Sequence, residues 1–349
     1  MSVRTSRSLL FLVLSLQCFE CKNHGTDLSS SNKVPWTLED VFSQAGQNTN
    51  LKCLIVFQND RILKERYFHP GDSLNAHDVR SVTKSVMATL IGIAIDRGII
   101  PSEDRTIGEY LQPTAPLSDS VKAHITIKQL LSMSSGLSGN DLPDVTEYNN
   151  WFNAPNQVQY TLSLPMIAQP GQVFGYNTGA AHLTSVLLTG ASGGSTYQFA
   201  KQYLFQPLGI PDRPWATDKQ GFNNGGAALS LTPYDMLKIG QLYLNKGVFN
   251  GIRVVSDTWI DKASSFKIST NNAQLFGPNY GYFWWLGNTG HHDYSFANGY
   301  GGQFIVVVPD LRLIVIATNM WSNVPTSTAS QQWYTTIDLI MNKIIPLYE

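Results

Sequence analysis

The 349-residue chain predicts an α/β (α+β) fold: an antiparallel sheet built from both chain ends and flanked by helices, with a mainly helical middle part. Three observations carry this expectation. Apolar runs bounded by turn residues occur at 51–68 and again beyond 280. Helical spacing fills most of 101–247. Hydrophobic content of 43% with 14% charged residues supplies a substantial core.

The N-terminus reads separately from that domain. Arg4 and Arg7 precede an apolar run from Leu9 to Phe19, the size of the apolar region of a secretory signal and too short to span a bilayer. Residues 1–22 are therefore expected to be a signal peptide, and the chain to be exported to a periplasmic or cell-envelope location. Cys18 after "LSLQ" resembles a bacterial lipoprotein signal, although Gln17 stands where a small residue is usual. A lipid on Cys18 would tether the protein to the membrane through its N-terminus only. The polar segment 23–35, including "GTDLSSSNK", reads as the tether to the domain at 36–345.

Within the domain, "LKCLIVFQNDRILKERYF" (51–68) predicts two strands turning at Gln58-Asn59-Asp60, with Cys53 as a buried thiol. A helix follows from about Ser81 to Asp96, stopped by Gly98. "TIKQLLSMSSGL", "TGAAHLTSVLLTG" and "STYQFAKQYLFQPLGI" supply helices of the middle part, the last closed by Gly209 and Pro211. "TPYDMLKIGQLYLNKG" (232–247) is a further amphipathic helix. "YGYFWWLG", "GGQFIVVVP" and "LRLIVIATNM" read as strands, and a last helix lies near 330–345. The α/β part is thus expected over 36–100 and 248–349, and the helical part over 101–247.

A net charge of −1 argues against nucleic acid as a partner. No zinc or cofactor pattern is found; "HHD" (291–293) lacks a further ligand at useful spacing and reads as a surface loop. Trp151, Trp284 and Trp285 fit either a cleft or the core.

The chemistry centres on "SVTK". Three Ser-x-x-Lys copies exist, at Ser30–Lys33, Ser81–Lys84 and Ser264–Lys267, but Ser81 alone opens a long apolar helix. Spacing of i and i+3 puts Ser81 and Lys84 on one helix face. The helix start favours negative charge on the serine oxygen. Burial beside an apolar run would lower the lysine's pKa, as a base requires. The other reading is a capped helix with a solvated lysine.

"PGQVFGYNTGAAHL" (170–183) places Tyr176 at a loop-to-helix transition, and "NGYGGQFIVVVP" (298–309) places a glycine pair at a strand start. With "SVTK", and with "HITIKQLLSMSSGL", "LFQPLGI", "GGAALSLTPYDMLKIGQLYLNKG" and "YGYFWW" in order, the chain resembles the serine β-lactamase and penicillin-binding-protein superfamily. The variety is class C-like, shared with esterases and amidases such as the 6-aminohexanoate-oligomer hydrolases. The resemblance implies a β-lactamase/transpeptidase-like fold and an acyl-enzyme mechanism without a cofactor. It makes Ser81 the nucleophile, Lys84 its proton acceptor and Tyr176 the general acid/base. The oxyanion hole would be the backbone N–H groups of Ser81 and Gln303, with Tyr300, Gly301, Gly302 and Thr178 lining the substrate site.

Two departures bear on substrate. Thr178 stands where the second motif usually has Asn, and Tyr300-Gly301-Gly302 stands where the third motif is usually Lys-Thr-Gly. Loss of that lysine removes a fixed positive charge, with Arg312 or Lys267 as its replacements if they fold nearby. A small ester or amide is therefore the expected substrate, in preference to a lactam. Alternatives left open are a β-lactamase or D-alanyl-D-alanine carboxypeptidase and a non-catalytic ligand-binding sensor. A further alternative is an α/β-hydrolase using Ser192 of "GASGG", with Asp212 or Asp218 and His291 or His292.

Overall fold

Asn59 and Asp60, with φ of 49° and 62°, turn the chain between β1 (Leu51–Gln58) and β2 (Arg61–Tyr67). Two such left-handed residues are what a tight hairpin needs, and Asn and Asp tolerate them best. The structure, a computed structural model, describes residues 35–111, 117, 119–142, 145–271 and 277–349. The expected signal peptide, Cys18 and all but the last residue of the 23–35 tether lie outside the described residues.

Short ladders join β3 (His77–Asp78) to β4 (Ser230–Leu231) and β5 (Val248–Phe249) to β6 (Ile252–Arg253). The remaining strands are β7 (Ile268–Ser269), β8 (Asn279–Tyr280), β9 (Trp285–Asn288), β10 (Asp293–Gly299), β11 (Gln303–Val308) and β12 (Leu313–Asn319). With the first hairpin they form one antiparallel sheet in the order β2-β1-β12-β11-β10-β9-β8-β7. The N-terminal hairpin joins the C-terminal strands along β1 and β12, one strand in from the edge, where Ile55 pairs with Ile316 and Val56 with Val315. Every residue of β11 and β12 is buried, so both faces of these strands are covered. Their apolar side chains each contribute about 1.5–3 kcal/mol by leaving water.

The first helices are α1 (Leu38–Ala45), opened by a Thr37–Asp40 capping box, and α2 (Val82–Asp96). The helical insert comprises α3 (Ile107–Leu111), α4 (Ser120–Ala123), α5 (Ile127–Leu131), α6 (Thr146–Asn153), α7 (Gln157–Ser163), α8 (Thr178–Ser192) and α9 (Thr196–Ala200). At its centre is α8, buried from Thr178 to Leu188 and packed on α2, α3, α5 and α7. The chain is completed by α10 (Pro233–Leu244), α11 (Asp257–Ala263) and α12 (Thr326–Leu339).

Two features differ from the sequence reading. The helix α10 lies on the sheet, not with the insert: Gly240 brings its backbone onto Ile305 and Ile314. Phe304, on the opposite face of β11, meets Trp333 of α12 instead. In addition, β10 went unrecognised because "DYSFANG" mixes polar and small residues, although Tyr294 to Ala297 are buried. Its pairing with β9 and β11 supplies what local composition does not.

Among the helices, α2 is the one that carries Ser81 to its place. All of its residues from Val82 to Ala94 are buried, including Lys84. Gly92 lets Trp259 of α11 lie directly on its backbone, and the Trp259 indole N–H donates to the Ala88 carbonyl at 2.9 Å. The helix is therefore locked along its length, and its first turn is a rigid support.

Candidate active site

Ser81 occupies the N-cap of α2, yet its side chain makes no capping bond and its backbone is helical (φ −69°, ψ −5°). The simple capped-helix reading therefore does not describe it. Lys84 Nζ lies 2.9 Å from Ser81 Oγ, 3.0 Å from Thr178 Oγ1 and 2.8 Å from the Gly226 carbonyl. The Lys84 side chain, which a simple capped helix would leave solvated, is 1% exposed.

That enclosure sets its charge. Burial pulls the Lys84 amine down to about 7, with Asp141 opposing and Arg80 reinforcing the effect. An ammonium can donate to all three oxygens. A neutral amine has two N–H groups and a lone pair, and among its partners a hydroxyl can reverse its bond while a carbonyl cannot. The geometry therefore allows Ser81 to donate its proton to Nζ while the Gly226 carbonyl keeps an N–H.

Gly226 is needed for this approach. A Cβ there would fall 2.4 Å from Thr178 Cγ2 and 3.0 Å from the Thr178 carbonyl oxygen. The 223–228 loop is in turn tied to α8 through His182, whose Nδ1 accepts from Gly225 N–H at 3.2 Å. That acceptance places the ring proton on Nε2, 3.0 Å from Asp218 Oδ2, with both side chains fully buried.

Tyr176 arrives from the turn preceding α8, and its ring centroid lies 4.8 Å from Lys84 Nζ. Burial raises its pKa, which Ser81 opposes, so it is a neutral phenol throughout the working range. It stacks on Trp285 at 5.6 Å and meets Tyr280 edge-on at 6.5 Å, which fixes the ring in one orientation.

The third motif forms the turn between β10 and β11. Gly301 and Gly302 have φ of 75° and 96°, and the Gly302 N–H donates to the Gly299 carbonyl at 3.1 Å. A Cβ on Gly299 would lie 2.4 Å from the Val79 carbonyl oxygen, so this turn is seated against the segment leading into Ser81. The expectation that Gln303 supplies an oxyanion N–H is corrected here. Gln303 is 0% exposed and pairs with Gly299 in the ladder, so no substrate reaches its backbone. Its side chain braces Asn319 instead, donating to the carbonyl at 3.0 Å and accepting from the N–H at 3.2 Å. Tyr300, partly exposed, is the turn residue at the site, and neither its N–H nor that of Ser81 has a backbone acceptor among the described residues.

Thr178 is also corrected, because it is 2% exposed and holds Lys84 and not the cleft. Its N–H donates to Asp141 Oδ2 at 2.8 Å. Asp141 was not singled out from the sequence, and only its distant contact with α8 could have revealed it. Nor was Arg80, although it adjoins Ser81. The site has a cation after all, contrary to the expectation from Tyr300. The named replacements lie elsewhere: Arg312 pairs with Asp60, and Lys267 lies over Tyr282.

The rival constellation is dispersed. Ser192 ends α8, with Oγ donating to the Gly194 carbonyl at 3.1 Å, and no strand precedes it. Asp212 pairs with Lys201, Asp218 with His182 and His292 with Asp310, while His291 is exposed. No group of three metal-ligand side chains occurs among the described residues. Trp151, Trp284 and Trp285 are core residues, 2%, 0% and 3% exposed.

Residues 53–334 match the model of the Beta-lactamase family. Over 233 residues the chain is 24% identical to a 6-aminohexanoate-dimer hydrolase of Paenarthrobacter ureafaciens, covering 62% of this chain and 57% of that protein. Over 109 residues it is 31% identical to a lovastatin esterase of Penicillium rubens, covering 30% of this chain and 27% of that one. The match thus spans little more than half of the first relative's length and about a quarter of the second's. An octameric penicillin-binding protein homologue from Pyrococcus abyssi shares the fold with a TM-score of 0.68 at 17% identity, covering 88% of this chain and 78% of that chain. The sheet drawn from both chain ends, the buried Ser-x-x-Lys helix and the match over 53–334 lead to one conclusion: this chain belongs to the Beta-lactamase family.

Proposed function

We propose that the protein is a serine hydrolase that cleaves a small carboxylic ester or amide through an acyl-enzyme on Ser81. The observation that carries this is the Lys84 amine, 1% exposed and 2.9 Å from Ser81 Oγ, with a pKa pulled down to about 7. A buried amine poised near neutrality beside a hydroxyl matches the requirement for activating a nucleophile. The names of the two curated relatives, one an amide hydrolase and one an esterase, support the substrate class.

In this reading Ser81 Oγ attacks the carbonyl carbon while its proton passes to neutral Lys84. The oxyanion is held by the N–H groups of Ser81 and Tyr300, the latter in place of Gln303. Tyr176, kept neutral by burial, donates its proton to the departing alkoxide or amine and recovers one from Lys84. Water then enters, loses a proton along the same path and releases the acid.

The test is covalent labelling with a fluorophosphonate, followed by peptide mass mapping. The adduct is expected on the peptide containing Ser81 and is lost in Ser81→Ala. Labelling elsewhere, or equal ester hydrolysis by Ser81→Ala, would refute the assignment.

A further inference from the structure

Arg80 immediately precedes Ser81 and is held in a left-handed conformation, with φ of 53°. Such backbone is costly for a non-glycine residue and persists where the surroundings impose it. Three aromatic rings from three separate segments converge on its guanidinium carbon: Trp321 at 4.4 Å, Tyr148 of α6 at 5.1 Å and Tyr300 at 5.9 Å. Trp321 is itself pinned, its indole N–H donating to the Asp78 carbonyl at 2.9 Å. Rings against the guanidinium hold its plane and leave the N–H edge for a planar partner.

The pairing inside the protein is incomplete. Arg80 Nη1 meets Asp78 Oδ2 at 3.4 Å, a single long contact where a carboxylate could accept a bidentate pair, and its other side-chain partner is the neutral Tyr148 hydroxyl. The other Asp78 oxygen is occupied by the N–H groups of Arg80, at 2.7 Å, and Ala228, at 3.1 Å. Arg80 Nε is buried with no partner. The side chain retains 16% exposure, beside the partly exposed Ser81 and Tyr300. Lys84 gives up its charge near neutrality, so Arg80 carries the standing positive charge at the nucleophile.

We propose that Arg80 in its aromatic clamp is the binding group for a carboxylate on the substrate, making the preferred substrates esters or amides that bear a free acid. This rests on the hydrolase reading above and narrows its substrate class. The cation comes from the residue before the nucleophile and not from the strand that usually supplies it, and a short diacid monoester tests whether a carboxylate bound there reaches the same site.

The experiment compares kcat/KM for the mono-4-nitrophenyl ester of glutaric acid with that for 4-nitrophenyl pentanoate. The wild type is expected to favour the acid-bearing ester at least tenfold. Arg80→Gln should lower that ratio by about ten- to a hundredfold, the range of one charge-assisted hydrogen bond. Asp78→Asn removes the internal competitor and should raise the ratio; it decides the matter should Arg80→Gln not fold. A wild-type ratio near one, an unchanged ratio in Arg80→Gln or a lowered one in Asp78→Asn overturns the proposal. Calorimetric binding of monomethyl glutarate to Ser81→Ala, with and without Arg80→Gln, separates the two readings. Binding lost with Arg80 but no hydrolysis of either ester by the wild type keeps the subsite and rejects the hydrolase. Hydrolysis of both esters without Arg80-dependent binding does the reverse.

Discussion

Replacing Lys84 by methionine keeps an unbranched side chain one atom shorter and removes its titration, which gives a direct measure of what burial costs the amine. In the unfolded chain the amine titrates near 10.5, and in the folded protein near 7, chiefly because burial disfavours the ammonium. Between these values the unfolded chain holds a proton that the native state does not. Stability therefore rises with pH across this window, is fully present above about 10.5 and is lost as pH falls through about 7. The whole gap corresponds to roughly 5 kcal/mol, or about 1.4 kcal/mol for each pH unit. Lys84→Met lacks this dependence, and groups common to both proteins cancel in the difference. Leaving the Gly226 carbonyl without its donor costs the variant about 1–3 kcal/mol, a penalty that does not vary with pH. Urea unfolding of both proteins at pH 7, 8, 9 and 10 is the assay. The wild type should gain on the variant by about 1 kcal/mol per step, somewhat under the limiting slope because pH 7 and pH 10 lie close to the two pKa values. Parallel stability curves would refute the assignment of a desolvated, near-neutral Lys84.

The same titration predicts that kcat/KM for a neutral ester rises through about pH 7 and falls about tenfold per unit below it. A flat profile from pH 5 to 8 would exclude Lys84 as the proton acceptor. Gly226→Ala places a methyl 2.4 Å from Thr178 Cγ2, which forces the carbonyl off Lys84. It should lower kcat/KM at least tenfold while circular dichroism stays native. Gly92→Ala drives a methyl to within 2.1 Å of the Trp259 ring, which its bond to Ala88 holds in place. Overpacking of this kind costs about 1–3 kcal/mol, and thermal unfolding should show it.

Much of the architecture was legible because its signals are local. The Asn59-Asp60 turn, the continuous apolar runs of β11 and β12 and the stop of α2 at Gly98 each lie within a few residues of their cause. The strand β10 was hidden because its polar and small residues become strand only by pairing on both sides. The helix α10 reads as amphipathic in either setting, and only Ile305 and Ile314 against Gly240 show that it belongs to the sheet.

By itself the sequence determined that Ser81 and Lys84 share a helix face, because a spacing of three is a property of one helix. It also determined that Tyr176 opens α8 and that glycines shape the turn before β11. Tertiary structure alone decided what these groups touch. Thr178 and the Gly226 carbonyl reach Lys84 from 94 and 142 residues away, and burial by the surrounding fold brings its pKa toward neutrality. Gln303 and Thr178, placed on the substrate by their motifs, were turned inward by the ladder and by α2. Arg80 became the cation of the site because Tyr148, Tyr300 and Trp321 close around it from three parts of the chain. Spacing along a chain sets which residues are neighbours within one element, whereas desolvation, charge and orientation depend on the atoms other elements bring within a few ångströms.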